Sequence, residues 1–292
     1  MTLRLNPLAI LQLQISIPVI EASPSFLSKN VLSLTFFFFL SLSLSWFKPL
    51  HTIHSFHVST FPRALLTFLR KMSTFPSGEA PPMNFFRDVI YQEMKAKGSV
   101  VPWDVGKAQP ALASVGEIFK GDILDVGTGT GDNARWISSL KGVSSVLAVD
   151  LAPSAIEIAL SRGAGGPAPL KFSVGDVLES EKICPLASMD VLLDSAVFHC
   201  IGDDEQQRAY LRSVTPLVKP GGRLVLFNFS DENDAATWRG PRRIPPSHAR
   251  ALWEEAGWTV DSLRTDVYYL DTMGRNDGKG GHALLMTATR RQ

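Results

Sequence analysis

A doubly wound α/β fold on a mostly parallel sheet is what this chain predicts, and three observations predict it. Residues 123–134 read Ile-Leu-Asp-Val-Gly-Thr-Gly-Thr-Gly-Asp-Asn-Ala. A buried parallel strand needs such a sequence to turn sharply and show bare backbone N–H groups to a ligand before entering a helix. Apolar runs ending in Asp150 and in Gly175-Asp176 follow, and an acid just past a strand stands at the ligand edge of such a sheet. A Val-Lys-Pro-Gly-Gly turn at 218–222 then opens a further apolar run.

Length and charge divide the chain. Its 292 residues allow one α/β domain of about 200 residues plus an appendage. Residues 1–71 carry six of the 29 Lys/Arg and one of the 28 Asp/Glu, leaving 72–292 mildly acidic. That is a poor footprint for a nucleic-acid backbone, so no nucleic-acid partner is expected. Cys184 and Cys200 are the two cysteines, without His or Cys at ligand spacing, so neither a disulfide framework nor a metal site is indicated.

Residues 1–71 are apolar, Ser-rich and without a sustained period. The uncharged stretch 31–47, between Lys29 and Lys48, is a little short of the roughly 20 residues a membrane helix needs. It is also too deep in the chain for a signal peptide. Three readings stay open: an organelle transit segment, a membrane anchor, or an upstream extension with Met72 as the working start and a cytoplasmic protein. Any membrane association would run through 31–47. Residues 72–82, whose Ser-Gly-Glu-Ala-Pro-Pro at 77–82 has two prolines and a glycine, read as a linker, and 83–292 as the domain.

Within the domain, Asn84 can cap a helix over 85–97 whose Phe85, Phe86, Val89, Ile90 and Met94 form one apolar stripe. This helix is a cover for the sheet or a substrate lid. The segment Val101-Pro-Trp-Asp-Val-Gly-Lys-Ala-Gln-Pro110 is too rich in Pro and Gly for a helix and reads as a loop shaped for a ligand. After the glycine turn come a helix over 132–140 and strands over 143–150 and 170–174, with a helix between them at 152–161. A strand from Met189 runs out into a loop by Ile201, followed by a helix over 203–214 with an acidic first turn. A fifth strand from Val218, a helix over 247–256 and strands over 258–266 and 281–290 complete the chain.

Asp125-Val-Gly-Thr-Gly-Thr-Gly resembles the first motif of the class I S-adenosylmethionine-dependent methyltransferases. The dinucleotide fingerprint is a poorer match, because Asp132 occupies the place of its third glycine. The Trp103, Asp104, Gly106 and Pro110 pattern is similar to the segment before the cofactor loop in the small-molecule members acting on thiols and heterocycles, the thiopurine and heterocyclic-toxin types. The resemblance implies a Rossmann-like seven-stranded sheet with its last strand antiparallel, S-adenosylmethionine as cofactor, a small-molecule acceptor, and a monomer or weak dimer.

It also implies roles. Gly127, Thr128, Gly129 and Gly131 would let the backbone approach the methionine part, Asp125 would hold its ammonium end and Trp103 would pack near it. Asp150, about 20 residues beyond the glycines, is placed to accept from ribose hydroxyls, with Leu151 beside the adenosine; the competing reading of Asp150 is a helix cap. Asp176, with Val177, would receive the adenine amine, or is a turn residue.

The end of the fourth strand must face the methyl group, which makes Asp194, Ser195, Phe198 and His199 candidates for contact with sulfonium or acceptor. Phe86, Trp238 and Arg242 are further acceptor-side candidates. His199 is either a catalytic base or a structural and binding residue. Two other classes compete with a methyltransferase: an NAD-type oxidoreductase and a non-catalytic S-adenosylmethionine-binding partner protein.

Overall fold

Alternation of side chains along the strands sorts the apolar residues onto two faces of one sheet. In the computed structural model, which describes residues 85–97, 101–236, 238, 240–270 and 280–292, the strands are β1 (Gly121–Val126), β2 (Val143–Asp150), β3 (Leu170–Val174), β4 (Met189–Ser195), β5 (Val218–Phe229), β6 (Trp258–Tyr269) and β7 (Gly280–Arg290). Their order is β3-β2-β1-β4-β5-β7-β6. β3, β2, β1, β4 and β5 pair in parallel, and β7 inserts antiparallel to both β5 and β6. The doubly wound sheet with its antiparallel last strand is therefore as the sequence predicts. The leader 1–71, the linker 72–82 and the Asn84 cap lie outside the described residues.

One face of the sheet, carrying Leu124, Leu192, Leu224, Leu226 and Leu284, packs on helices α4 (Asp204–Val214) and α5 (Pro246–Glu255). The other, carrying Ile123, Ala148, Leu193, Val225 and Phe227, packs on a 3-10 segment Pro110–Ile118 and on α2 (Asp132–Ser138). Asp203 closes a capping box with Gln206 at the start of α4, satisfying two backbone donors that a helix start leaves open. The first helix differs from expectation in kind: its apolar stripe runs through a π-helical turn, Phe86–Ile90, before α1 (Tyr91–Lys97). Phe85, Ile90 and Tyr91 bury against Ala152 and Ala155, at the start of α3 (Pro153–Ser161).

The order changes direction at β1, which has β2 on one side and β4 on the other. A crevice opens at such a switch point, beyond the carboxyl ends of the strands. Under the opposite face, Trp253 is fully buried, edge-on to Trp258 with ring centroids 5.7 Å apart and 5.9 Å from Phe198. Trp253→Ala is expected to destabilise the domain by about 3–5 kcal/mol through the cavity it leaves, read by urea unfolding. A loss below about 1 kcal/mol would show that this wall of the core collapses around the gap.

Candidate active site

The cleft at the switch point has a volume of about 320 Å³ and is open on one side. Its floor is the turn after β1. Gly127 and Gly129 hold left-handed φ values of 62° and 56°. A Cβ at Gly127 would stand 2.1 Å from a Val197 methyl, and one at Gly129 would stand 2.9 Å from the Tyr91 hydroxyl, so only glycine fits without displacement. Gly127, Thr128 and Gly129 line the cleft. Gly131 does not; at φ 82° it starts α2, with Phe172 where a side chain would stand. Its role is to turn the chain.

Asp150, at the end of β2, accepts the Gly129 amide at 2.8 Å and the Ala152 amide at 2.9 Å. It lines the cleft beside Leu151. Burial pushes its carboxyl up to about 6, against the lowering pull of the two amides. Asp176 and Val177 line the cleft beyond β3, with Asp176 also accepting the Leu178 amide at 2.9 Å. Asp150 is not the cap of α3, whose N-cap is Ala152 without a side-chain bond. Both acids organise turns and line the cleft, and a carboxylate so engaged keeps lone pairs for a further donor.

Two acids expected at the ligand lie beneath it instead. Asp125 is buried, does not line the cleft, and accepts the Thr128 hydroxyl at 2.7 Å. Burial pushes its carboxyl up to about 7, relieved by Thr128 and increased by repulsion from Asp150 and Asp194. Asp194 is fully buried and accepts from the Val197 amide at 3.0 Å, the Phe198 amide at 3.1 and 3.2 Å and the Tyr210 hydroxyl at 2.8 Å. Burial raises its pKa. Its carboxylate closes the turn after β4 rather than reaching a ligand. Ser195 does line the cleft, and Ala196 beside it takes a left-handed φ of 73°, a conformation that costs a non-glycine residue of order 1–3 kcal/mol.

That turn sends successive residues to opposite sides. Phe198 points away from the cleft into the core against Tyr210, His248 and Trp253, which corrects its reading as an acceptor contact. His199 lines the cleft, buried and stacked on Phe229 with centroids 5.0 Å apart. Its Nδ1 accepts the Phe229 amide at 3.0 Å, and burial pulls its pKa down to about 3. A ring so held is neutral and a poor proton acceptor near neutrality, which removes the physical basis for reading His199 as a general base.

Trp238 faces the cleft edge-on to Phe229 at 4.8 Å. Arg242 does not; it reaches Asp204 at 2.6 Å and the Gly202 carbonyl at 3.4 Å. The side chain of Phe86 lies outside the described residues.

The predicted loop covers the cleft. The Trp103 indole N–H donates to the Tyr91 hydroxyl at 3.1 Å. Arg162, just after α3, grips Asp104 through bonds of 3.0 and 2.5 Å and reaches Asp132 at 2.9 Å. Sequence reasoning missed Tyr91, Gln109, Phe229, Tyr268 and Leu270, all of which line the cleft. Phe229 and Tyr268 stand at the ligand ends of β5 and β6, so the rule that found Asp150 could have found them. Tyr91 carries no such local signal.

The bare backbone of the glycine turn and the raised carboxyls beneath it suit a ligand with a positive charge and hydroxyls, as S-adenosylmethionine has. Comparison with known proteins agrees. Residues 123–222 match a methyltransferase domain family. The 2-heptyl-1-hydroxyquinolin-4(1H)-one methyltransferase of Mycobacteroides abscessus is 27% identical over 180 residues, which are 61% of this chain and 77% of that protein.

Among solved structures, one concerning conversion of a disulfide bond into a thioacetal group during echinomycin biosynthesis is 26% identical. It aligns with a TM-score of 0.58 over 72% of this chain and 93% of its own. The 1,6-didemethyltoxoflavin-N1-methyltransferase of Burkholderia thailandensis shares the fold, with a TM-score of 0.51, 21% identity and coverage of 75% and 94%.

Because the folded Asp125 carboxyl, at about 7, lies above its unfolded value of about 3.9, proton binding favours the folded state. That contribution is complete below about pH 4 and is lost as pH rises through about 7, a range of about 4 kcal/mol for the ligand-free protein. Asp125→Asn is expected to flatten the fall in unfolding free energy across this window. Equal slopes in the two proteins would show that Asp125 is ionised throughout.

Proposed function

We propose that this chain, a class I S-adenosylmethionine-dependent methyltransferase acting on small molecules, methylates a flat heteroaromatic acceptor through a ring nitrogen or a ring-attached hydroxyl. The observation that supports this reading is the division of the cleft by strand order. The β1, β2 and β3 side carries the glycine turn and the acids Asp150 and Asp176. The β4, β5 and β6 side presents His199, Phe229, Trp238 and Tyr268.

Those four rings form one aromatic wall of the cleft centred on Phe229: His199 lies parallel to it, Trp238 stands on its edge, and Tyr268 is tilted 5.2 Å from it. Such a wall favours a flat aromatic guest, each ring contact adding about 0.5–1.5 kcal/mol beyond its buried area. The relative from Mycobacteroides abscessus, whose acceptor is a hydroxyquinolinone, supports the same class.

Held by the glycine turn, S-adenosylmethionine would supply a sulfonium methyl to the acceptor's lone pair and would leave as the neutral thioether S-adenosylhomocysteine. The chain's own task is to hold two partners close, aligned and dry, which can lower a barrier by about 7–11 kcal/mol. In this reading the Gly127–Gly129 backbone receives the methionine part, Asp150 accepts the ribose hydroxyls with its remaining lone pairs, and Asp176 receives the adenine amine. Trp103, hydrogen-bonded to Tyr91, covers the methionine.

Calorimetry with S-adenosylhomocysteine tests the cofactor half. Asp150→Ala is expected to weaken binding by about 1.5–3 kcal/mol, and Gly129→Val to abolish it. Unchanged affinity in either variant would show that the turn is not the binding site. A homocysteine-release assay over heterocycles, phenols and thiols tests the acceptor half, with turnover expected for flat heteroaromatics. Turnover confined to aliphatic thiols would overturn the aromatic assignment.

A further inference from the structure

We infer that His199 is a fixed hydrogen-bond donor that recognises an oxygen of a weakly acidic hydroxy- or oxo-heteroarene, and that this acceptor enters the cleft already ionised. The inference rests on the heteroaromatic reading above and specifies its substrate class.

Its basis is the way the imidazole is held. The His199 amide donates to Asn228 Oδ1 at 2.9 Å, and its carbonyl accepts the Arg242 amide at 3.2 Å. The ring lies 5° from parallel to Phe229. Nδ1 faces the Phe229 N–H at 3.0 Å. A proton on Nδ1 would point at that N–H, so the ring hydrogen sits on Nε2. Among the described residues Nε2 has no hydrogen-bond partner, and it is not sealed from the cleft that His199 lines. One N–H is thus aimed from a rigid, neutral ring into the cleft.

The groups around the ring do not recharge it. Asp194 on β4 holds the turn through the Val197 and Phe198 amides and the Tyr210 hydroxyl. Burial pushes the Cys200 thiol up and the Tyr268 phenol up to about 12, keeping both protonated. On the outer side of the turn, Arg242 pairs with Asp204, and His248 contacts Gln207 at 2.7 Å. Burial alone drives the His199 shift.

Of the carboxylates that line the cleft, Asp104 and Asp132 pair with Arg162, while Asp150 and Asp176 hold backbone amides and, in the reading above, face the ribose and adenine. A fixed neutral donor binds an anionic oxygen more strongly than a neutral one. The acceptor's proton therefore passes to water before methyl transfer, and His199 selects the ionised species without taking the proton itself.

The full-length protein loaded with S-adenosylhomocysteine tests this, with 1-hydroxyquinolin-4(1H)-one as an absorbing probe and its O-methyl ether as the non-ionising control. Titration across pH is expected to show the bound probe ionised at a pH where the free probe is not. His199→Leu should lose about tenfold in affinity for the ionised form, in line with the worth of a hydrogen bond to a charged group. His199→Gln, which keeps a donor near the Nε2 position, should restore most of it.

Nitrogen-15 NMR of His199 in the wild-type protein reads the ring directly, even where variants fail to fold. Nε2 should carry the hydrogen throughout about pH 5 to 8, with no titration in that range. A ring that titrates near 6.5, or that carries its hydrogen on Nδ1, would overturn the inference. Binding of the neutral probe alone, or equal affinity in His199→Leu, would also overturn it while leaving the heteroaromatic reading standing. Binding of neither form would defeat both.

Discussion

The cleft depends on one buried carboxylate, that of Asp150. It stands where β2 ends and holds the Gly129 amide, 21 residues before it, and the Ala152 amide of its own crossover, so two turns share one anchor. A charge at this depth is destabilising on its own account, and its raised pKa is the trace of that cost. The two amides offset part of it. With Asp125 beneath the same turn, the floor is rich in buried or nearly buried carboxyl oxygens. Such a floor favours a cationic group above it over a neutral analogue, because the repulsion among buried acids falls when a positive charge arrives.

On the other side of the switch point a second buried acid does a different task. Asp194 closes the turn after β4 so tightly that Phe198 is directed into the core and His199 into the cleft. The left-handed Ala196 is part of the same reversal. Holding the imidazole by Nδ1 fixes its tautomer, and burial fixes its charge state. Catalysis by proximity needs such a wall more than it needs a base, since a sulfonium is already a good methyl donor.

The cover is fastened at both ends. Arg162 clamps Asp104 to Asp132, and Gln109 bridges to the last strand pair, donating to the Tyr269 carbonyl at 3.0 Å and accepting its amide at 2.9 Å. Its own amide donates to Asn133 Oδ1 at 3.0 Å. The loop over the ligand is thereby tied to α2, α3 and β6 through buried or half-buried polar groups, where hydrogen bonds are worth more than on the surface.

The reaction class was legible in the sequence through the resemblance of its motifs to a known family; the sheet, the glycine turn and the acids at the ends of β2 and β3 it determined by itself. Each of these is local: apolar periodicity, glycine at positions that need a left-handed φ, and an acid just past a strand are written in consecutive residues. Even so, local signals named Asp125, Asp194 and Phe198 as contacts without showing which way they point.

Only the tertiary structure decided that, because orientation around a tight turn depends on partners far along the chain. Tyr210 and the Phe198 amide take Asp194, Phe229 takes the His199 ring, and Asp204 takes Arg242. The aromatic wall is of the same kind. Phe229, Trp238 and Tyr268 come together because β7 inserts between β5 and β6 and brings their ends to one edge, a closeness that no run of neighbouring residues records.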